Sequence, residues 1–320
     1  MSRGVDVAVL GANNGFIGIE AAETLRGHPY VDRVLTPPSE ELDQFEGADV
    51  VFSALPHGIS AQYVEKFSGL GSMVVDFSGD LRFQTAEEYK RAYQVDEHPA
   101  PSVLSVPYGL PEHHRDQLKG RSIAAVPGCY PTGSLLPLQP LVEAGLLERE
   151  PMIVIDADSA VSGAGNNPSK TTHFMNVSGN ATPYNTGNVH RHVPEIEQFL
   201  NGRSVFFSPM IIPIEQGMVI RINVSLVEGT DVEDVQEVLA GTYTDEPFVH
   251  VLEDGRVPSA KDTARTDECH IGAVGVGRTV QLISTLDNLR KGGSSQGVHV
   301  FNLMRGYPET AGLTPKASMR

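Results

Sequence analysis

Apolar and polar positions change rhythm twice along the chain. Val5–Leu10 (VDVAVL) is a short β-branched run that stops at Gly11, and Ile19–Gly27 then reads as a helix. Val31–Thr36, Asp49–Ala54, Met73–Asp76 and Ala124–Val126 repeat the strand pattern, with a helical stretch at Ile59–Phe67. Strands alternating with helices predict a doubly wound parallel sheet in an α/β fold. Beyond about residue 130 the texture differs. A helix follows Cys129 despite two prolines, Met152–Asp156 begins a new strand, and Ser159–Val189 is a long polar stretch rich in Gly, Asn, Ser and Thr. Long irregular stretches in compact proteins are commonly functional. Val205–Phe207, Met218–Val227, Phe248–Leu252, His270–Val276 and Thr279–Leu286 then read as strands, with one clear helix among them at Val232–Leu239. This predicts a second, α+β domain with a mainly antiparallel sheet. A closing helix is expected at Leu289–Leu303.

Composition narrows the function. Against 40 Asp and Glu stand 24 Lys and Arg, a formal charge of −16, which repels a nucleic-acid backbone. No apolar run approaches the roughly 18 residues of a membrane span, and the first residues show no signal-peptide pattern. Two cysteines, Cys129 and Cys269, do not make a disulfide framework and point to a reducing, cytoplasmic setting. No His and Cys grouping has zinc-site spacing, so no metal is expected.

Gly11-Ala12-Asn13-Asn14-Gly15-Phe16-Ile17-Gly18 links the first strand to the first helix. Glycines let a backbone approach a pyrophosphate, and open helix N–H groups face its charge. A plain tight turn would need the same glycines, so the βαβ context carries the reading. An acid ending the second strand would bind the ribose of NAD; here Thr36 stands there, followed by Ser39, which leans to NADP. Arg33 could serve only if it faces the cofactor.

Cys129 follows a short strand and precedes a helix. A helix N-terminus favours the thiolate, which is the nucleophile. A buried, inert thiol is the alternative, and Cys269, beside an apolar strand, fits it. A proton carrier near neutral pH is most often histidine. His190-Arg191-His192-Val193-Pro194-Glu195 closes the polar stretch and opens a helix, although surface histidines at a helix entry would look alike.

These segments resemble the N-acetyl-γ-glutamyl-phosphate reductases of the aspartate-semialdehyde dehydrogenase superfamily. The resemblance runs nearly end to end through the glycine turn, Ala54–Gly58, Asp76–Arg82, Tyr108–Glu112, Pro127–Thr132, Ser162–Gly165, Tyr184–Ile196 and Asp287–Gly292. It implies a Rossmann-like NADP-binding domain at 1–130 with 288–320, and a catalytic and dimerisation domain at 131–287. It implies Cys129 as nucleophile, His190 as acid/base, and Tyr184 lining the site. NADP(H) is expected at Gly11, Asn13, Asn14, Gly15, Phe16 and Ile17. Thr36, Ser39, Pro56, Ser162, Gly163 and Asn288 complete that expected contact. Ser78 and Arg82 are candidates for phosphate or substrate, with a strand-closing turn as the equal alternative, and Asp287 is read as structural. The implied reaction takes an acyl phosphate through a cysteine thioester to a semialdehyde and releases inorganic phosphate. In it His190 holds the thiolate as an ion pair. A homodimer or homotetramer is expected.

Several positions depart from the family pattern. The first glycine gap holds three residues, and Asn166, Met210 and Gln216 stand where basic or imidazole groups are usual. Thr266-Asp267-Glu268 replaces a Gly-x-Asn turn. Lys170, Arg191 or Arg221 could compensate. A different acyl phosphate, aminoadipyl or carrier-linked, and a non-catalytic NADP-binding regulator are therefore competing readings.

Overall fold

The computed structural model describes residues 4–166, 169–170, 172–187 and 189–314. These form two compact units, one running to Gly128 and resuming over Gly292–Thr314, the other spanning Cys129–Lys291.

In the first unit, β1 (Val5–Leu10), α1 (Phe16–Arg26), β2 (Val31–Leu35), β3 (Val50–Ser53), α2 (Ser60–Gly69), β4 (Met73–Asp76), α3 (Ala86–Tyr93), α4 (Pro111–Leu118) and β5 (Ile123–Ala125) follow in order. The sheet is parallel throughout, ordered β2-β1-β3-β4-β5. β3 is wholly buried and β1 nearly so, as a sheet covered on both faces requires, while edge strand β2 stays open. The order reverses at β1, so its carboxyl end is the switch point where open α/β sheets take ligands. Helices α3 and α4 escape the sequence reading because both are short and predominantly polar; a Thr85–Glu88 capping box starts α3, and Pro111 starts α4.

The second unit carries α5 (Cys129–Glu143), β6 (Ile153–Ala160), α6 (Phe174–Val177), β7 (Thr182–Pro183), α7 (His192–Glu197), β8 (Val205–Ile212), β9 (Met218–Ser225), α8 (Val232–Tyr243), β10 (Val249–Val251), α9 (Ala260–Thr263), β11 (Cys269–Val276) and β12 (Thr279–Leu286). Its sheet runs β10-β11-β12-β9-β6-β8-β7. It is mixed: β6 and β8 pair parallel, as do β10 and β11, and the other neighbours pair antiparallel. Alternate residues of β6, β8 and β9 are buried, which marks one covered face. The polar stretch from Ser159 is less irregular than its composition suggests. Its first residues complete β6, and α6 and β7 lie within it. Residues 167–168, 171 and 188 of that stretch fall outside the described residues.

Helix α5 keeps two interior prolines, Pro137 and Pro140. Each removes the N–H that would serve the carbonyl four residues earlier. The Ser284 hydroxyl donates to the Gly133 carbonyl and the Tyr243 hydroxyl to the Leu136 carbonyl, so both stranded acceptors are satisfied. Gly133 is required for close packing: a Cβ there would lie 2.4 Å from Ile220 Cδ1. The last helix, α10 (Ser294–Arg305), belongs to the first unit and packs on α1 and α4. It begins later than the sequence suggests, because Asp287 accepts from the N–H groups of Leu289 and Arg290 and fixes a turn there. No described helix is long and apolar enough to cross a membrane.

Candidate active site

Cys129 is the first residue of α5 and is partly exposed, whereas Cys269 on β11 is fully buried. Pro127 and Gly128 end the preceding strand, and Pro131 falls in the first helical turn, where its missing N–H costs nothing. The end of the polar stretch is laid along β8: Tyr184 N–H donates to Pro209 at 3.2 Å and Gly187 N–H to Phe207 at 2.7 Å. This brings His190 onto Phe207, with ring centroids 5.0 Å apart, and edge-on to Tyr130 at 5.6 Å and Tyr184 at 5.7 Å. The Tyr130 and Tyr184 hydroxyls are hydrogen-bonded at 2.9 Å, and Tyr130 also bonds the Ser159 side chain. Burial pushes the Tyr184 phenol up to about 12, opposed by the Tyr130 hydrogen bond and assisted by electrostatic coupling to Cys129. Burial, then coupling to Tyr184 and Cys129, raises Tyr130 as well. Cys129, Tyr130, Tyr184 and His190 therefore form one electrostatic neighbourhood within the second unit. Tyr130, Ser159 and Phe207 were not singled out in the sequence; the adjacency of Tyr130 to Cys129 was the available signal.

His190 is buried, and burial followed by the Arg191 charge lowers its pKa to about 4. That lowering favours the neutral ring near pH 7, whereas the resemblance implies an imidazolium paired with the Cys129 thiolate. The N–H of His192 donates to Nδ1 at 3.2 Å, which assigns the ring hydrogen to Nε2. His190 thus offers a hydrogen-bond donor at Nε2. Arg191 is exposed beside it. Arg221 is instead bound to Asp158 at 2.9 Å, and Lys170 lines an open cleft with Met175, Asn176 and Thr182.

In the first unit, Gly11 has φ +77°, and a Cβ there would lie 2.6 Å from the Ala54 carbonyl. Gly18 lets α1 press on the turn, with a Cβ position 2.8 Å from the Gly11 carbonyl. Gly15 differs: the nearest atom to its Cβ position is 3.8 Å away, and as N-cap of α1 it supplies no side-chain acceptor. The leading N–H groups at Phe16 and Ile17 are left for a phosphate, so this turn fits a dinucleotide. Asn14 Nδ2 donates to Ser39 Oγ at 3.2 Å, linking the turn to the segment that follows β2; Asn13 and Pro56 are exposed, and Thr36 is partly so. Arg33 does not join them, because its Nε binds Asp6 at 2.9 Å.

Ser78 and Arg82 are both buried in a turn. Ser78 Oγ donates to Asp76 at 2.7 Å, and Arg82 donates to the Val126 and Phe77 carbonyls at 2.9 and 2.8 Å. Burial pushes the Asp76 carboxyl up to about 6 against hydrogen bonds from Ser60 and Ser78. Asp80, which the sequence reading passed over, accepts from Gly58 N–H at 2.7 Å and Ala61 N–H at 3.0 Å and so holds the loop bearing Pro56. In the second unit, Asn288 Nδ2 donates to Ser162 Oγ at 3.0 Å while its oxygen accepts from Gly217 N–H at 2.9 Å. That amide clamps two loops, and Gly163 lies exposed beside them.

Comparison with known proteins agrees with both units. The semialdehyde dehydrogenase dimerisation domain matches residues 129–288, and the semialdehyde dehydrogenase NAD binding domain matches residues 35–121. The fold is that of an aspartate semialdehyde dehydrogenase from Vibrio cholerae, with TM-score 0.74, 18% identity, and coverage of 95% of this chain and 99% of that one. At the level of sequence, the N-acetyl-gamma-glutamyl-phosphate reductase of Methanosphaera stadtmanae is 37% identical over 97% of each chain. That of Desulforudis audaxviator is 38% identical, over 97% of this chain and 98% of its own. The chain belongs to the N-acetyl-gamma-glutamyl-phosphate reductase family. Its cofactor is a nicotinamide dinucleotide.

Proposed function

We propose that the protein reduces N-acetyl-γ-glutamyl phosphate to N-acetylglutamate semialdehyde with NADPH. The observation that carries this is the Cys129, Tyr130, Tyr184 and His190 cluster at the start of α5, in a chain aligned end to end with the reductases. The Cys129 thiolate attacks the acyl carbon; the bond from that carbon to the phosphate oxygen breaks, leaving a thioester and inorganic phosphate. The His190 Nε2–H and the first N–H groups of α5 donate to the carbonyl oxygen as it gains charge. Reduced nicotinamide, when bound, supplies the hydride that takes the thioester to the aldehyde oxidation level. When the carbon–oxygen double bond reforms, the carbon–sulfur bond breaks and the Cys129 thiolate leaves. Gly11, Asn13, Asn14, Gly15, Phe16 and Ile17 would hold the dinucleotide, and Thr36 and Ser39 suit a ribose phosphate better than an acid would. Arg191 is the cation beside the cluster suited to a substrate carboxylate or phosphate. The enzyme would work in the cytoplasm as a homodimer or homotetramer.

The test is the reverse reaction, read as reduced-cofactor absorbance with phosphate, NADP⁺ or NAD⁺, and N-acetylglutamate, acetylaminoadipate or aspartate semialdehyde. Turnover of the first with NADP⁺, absent in Cys129→Ser, is the expected result. Preference for another semialdehyde would assign the Met210 and Gln216 departures to substrate choice. Silence across the panel, with cofactor still binding, would overturn the proposal.

A further inference from the structure

Strand pairing brings together three residues that are scattered in the sequence. His250 of β10 and His270 of β11 are direct partners in the parallel register, so their side chains leave the same face of the sheet. Glu268 precedes His270 by two positions and shares that face. The result is a carboxylate between two imidazoles. Glu268 Oε2 lies 3.0 Å from His270 Nε2, and Oε1 lies 3.5 Å from His250 Nε2. The two rings stand edge to face with centroids 5.3 Å apart. All three donor atoms fall within 4.8 Å of one another.

We propose that His250, Glu268 and His270 bind a zinc ion. In a tetrahedral zinc site, bonds of about 2.0–2.1 Å place neighbouring donors about 3.3 Å apart. The separations from the two carboxylate oxygens, 3.0 Å from Oε2 to His270 and 3.5 Å from Oε1 to His250, lie near that spacing, so a small turn of the carboxylate presents one oxygen to both nitrogens. Two nitrogens and one carboxylate oxygen suit zinc and disfavour magnesium or calcium, which prefer all-oxygen shells. His250 Nε2 supplies the independent sign. It is buried and has no hydrogen-bond partner, although it faces the carboxylate. An imidazole nitrogen in that state is explained by a missing ligand better than by packing. Glu268 is 1% exposed, and the His250 side chain, 31% exposed, is the part of the cluster nearest solvent. The three-residue strand β10 lies at the sheet edge and, among the described residues, pairs with β11 alone. A zinc ion would clip it in place, a structural task separate from the Cys129 chemistry.

Untagged protein, stripped with a chelator and dialysed, is titrated with Zn²⁺ against a chromophoric chelator. One tight equivalent is expected, lowered in affinity about tenfold or more in His250→Ala and in Glu268→Gln, with zinc raising the melting temperature of the wild type alone. Co²⁺ in the same site should give tetrahedral d–d bands without thiolate-to-cobalt charge transfer. Absence of stoichiometric zinc, unchanged affinity in His250→Ala, or a charge-transfer band assigning the ion to Cys129 would each overturn the site. Glu268 is buried and its variant could unfold; His250→Ala, at the exposed edge and checked by circular dichroism, then decides alone.

Discussion

His190 and His192 lie among Tyr130, Tyr184 and Phe207, whereas His250 and His270 close on the carboxylate of Glu268. Both pairs belong to the second unit: His190 and His192 stand at the entry to α7, and His250 and His270 lie on β10 and β11. The surroundings separate their chemistry. A buried aromatic wall with an arginine beside it keeps His190 neutral, with its hydrogen at Nε2. A carboxylate facing two nitrogens instead gathers donor atoms around one point. A histidine in a sequence is therefore an offer of several roles, and the neighbours brought by the fold choose among them.

The largest expected effect tests whether the aromatic site does the covalent chemistry. Cys129→Ser should lower phosphorylating turnover by about 10³-fold or more, because an alcohol is far less ionised than a thiol at neutral pH. Cys269→Ala should retain turnover, since that thiol is fully buried on β11. Iodoacetamide should label Cys129 far faster than Cys269, measured by peptide mapping. Equal labelling, or activity lost in Cys269→Ala in a folded protein, would break the assignment.

His190→Gln comes next, with kcat reduced about 10²-fold, as for a lost hydrogen-bond donor or proton-transfer group. The same residue carries a pH signature. Its pKa falls from 6.5 in the unfolded chain to about 4 in the fold, so the unfolded state binds more protons between those values. Stability from this group is full above pH 6.5 and is lost as pH falls toward 4, by about 3 kcal/mol at most. Urea melts from pH 7.5 to 4 should show a shallower acid decline in His190→Gln than in the wild type. Parallel declines would mean that His190 is solvated and able to sit as the imidazolium.

How much of this the sequence carried depends on where each partner came from. Gly11, Gly15 and Gly18 were readable because their spacing is local and follows a strand. Cys129 was readable because a strand, a glycine and a helix meet there within a few residues. Ser159 and Ala160 read as loop in the sequence, since small residues at a strand end look like turn formers, and only pairing with Met218 and Ile212 keeps them extended. Tyr184 meets Tyr130 from 54 positions away. His250 and His270 are joined by strand register alone, which short metal-spacing rules do not encode. Resemblance implies Asn288 and Ser162 as cofactor contacts; their mutual hydrogen bond is a property of the fold.

Arg191→Gln should act on binding more than on chemistry. Loss of a charge-assisted hydrogen bond to an anionic substrate, about 1.5–3 kcal/mol, corresponds to a KM raised about tenfold or more with kcat nearly kept. The arginine charge also holds the His190 pKa down, so its removal should move the acid limb of the stability profile to higher pKa and make the limb smaller. An unchanged KM would place the substrate anion on another cation.

The smallest effect concerns the wall itself. Tyr184→Phe removes one neutral hydrogen bond, 2.9 Å long, from the Tyr130 hydroxyl. Tyr130 keeps its bond to Ser159, so its oxygen is not stranded. The net cost should be about 1 kcal/mol of stability, a shift of a few degrees in the melting temperature, and about a fivefold fall in kcat. Activity and stability should fall together, because the phenol acts by holding Tyr130 against His190 and donates nothing to the reacting carbon. A fall in kcat of two orders of magnitude with an unchanged melting temperature would instead make Tyr184 a direct donor to the substrate oxygen, and the division between a chemical histidine and its aromatic support would have to be redrawn.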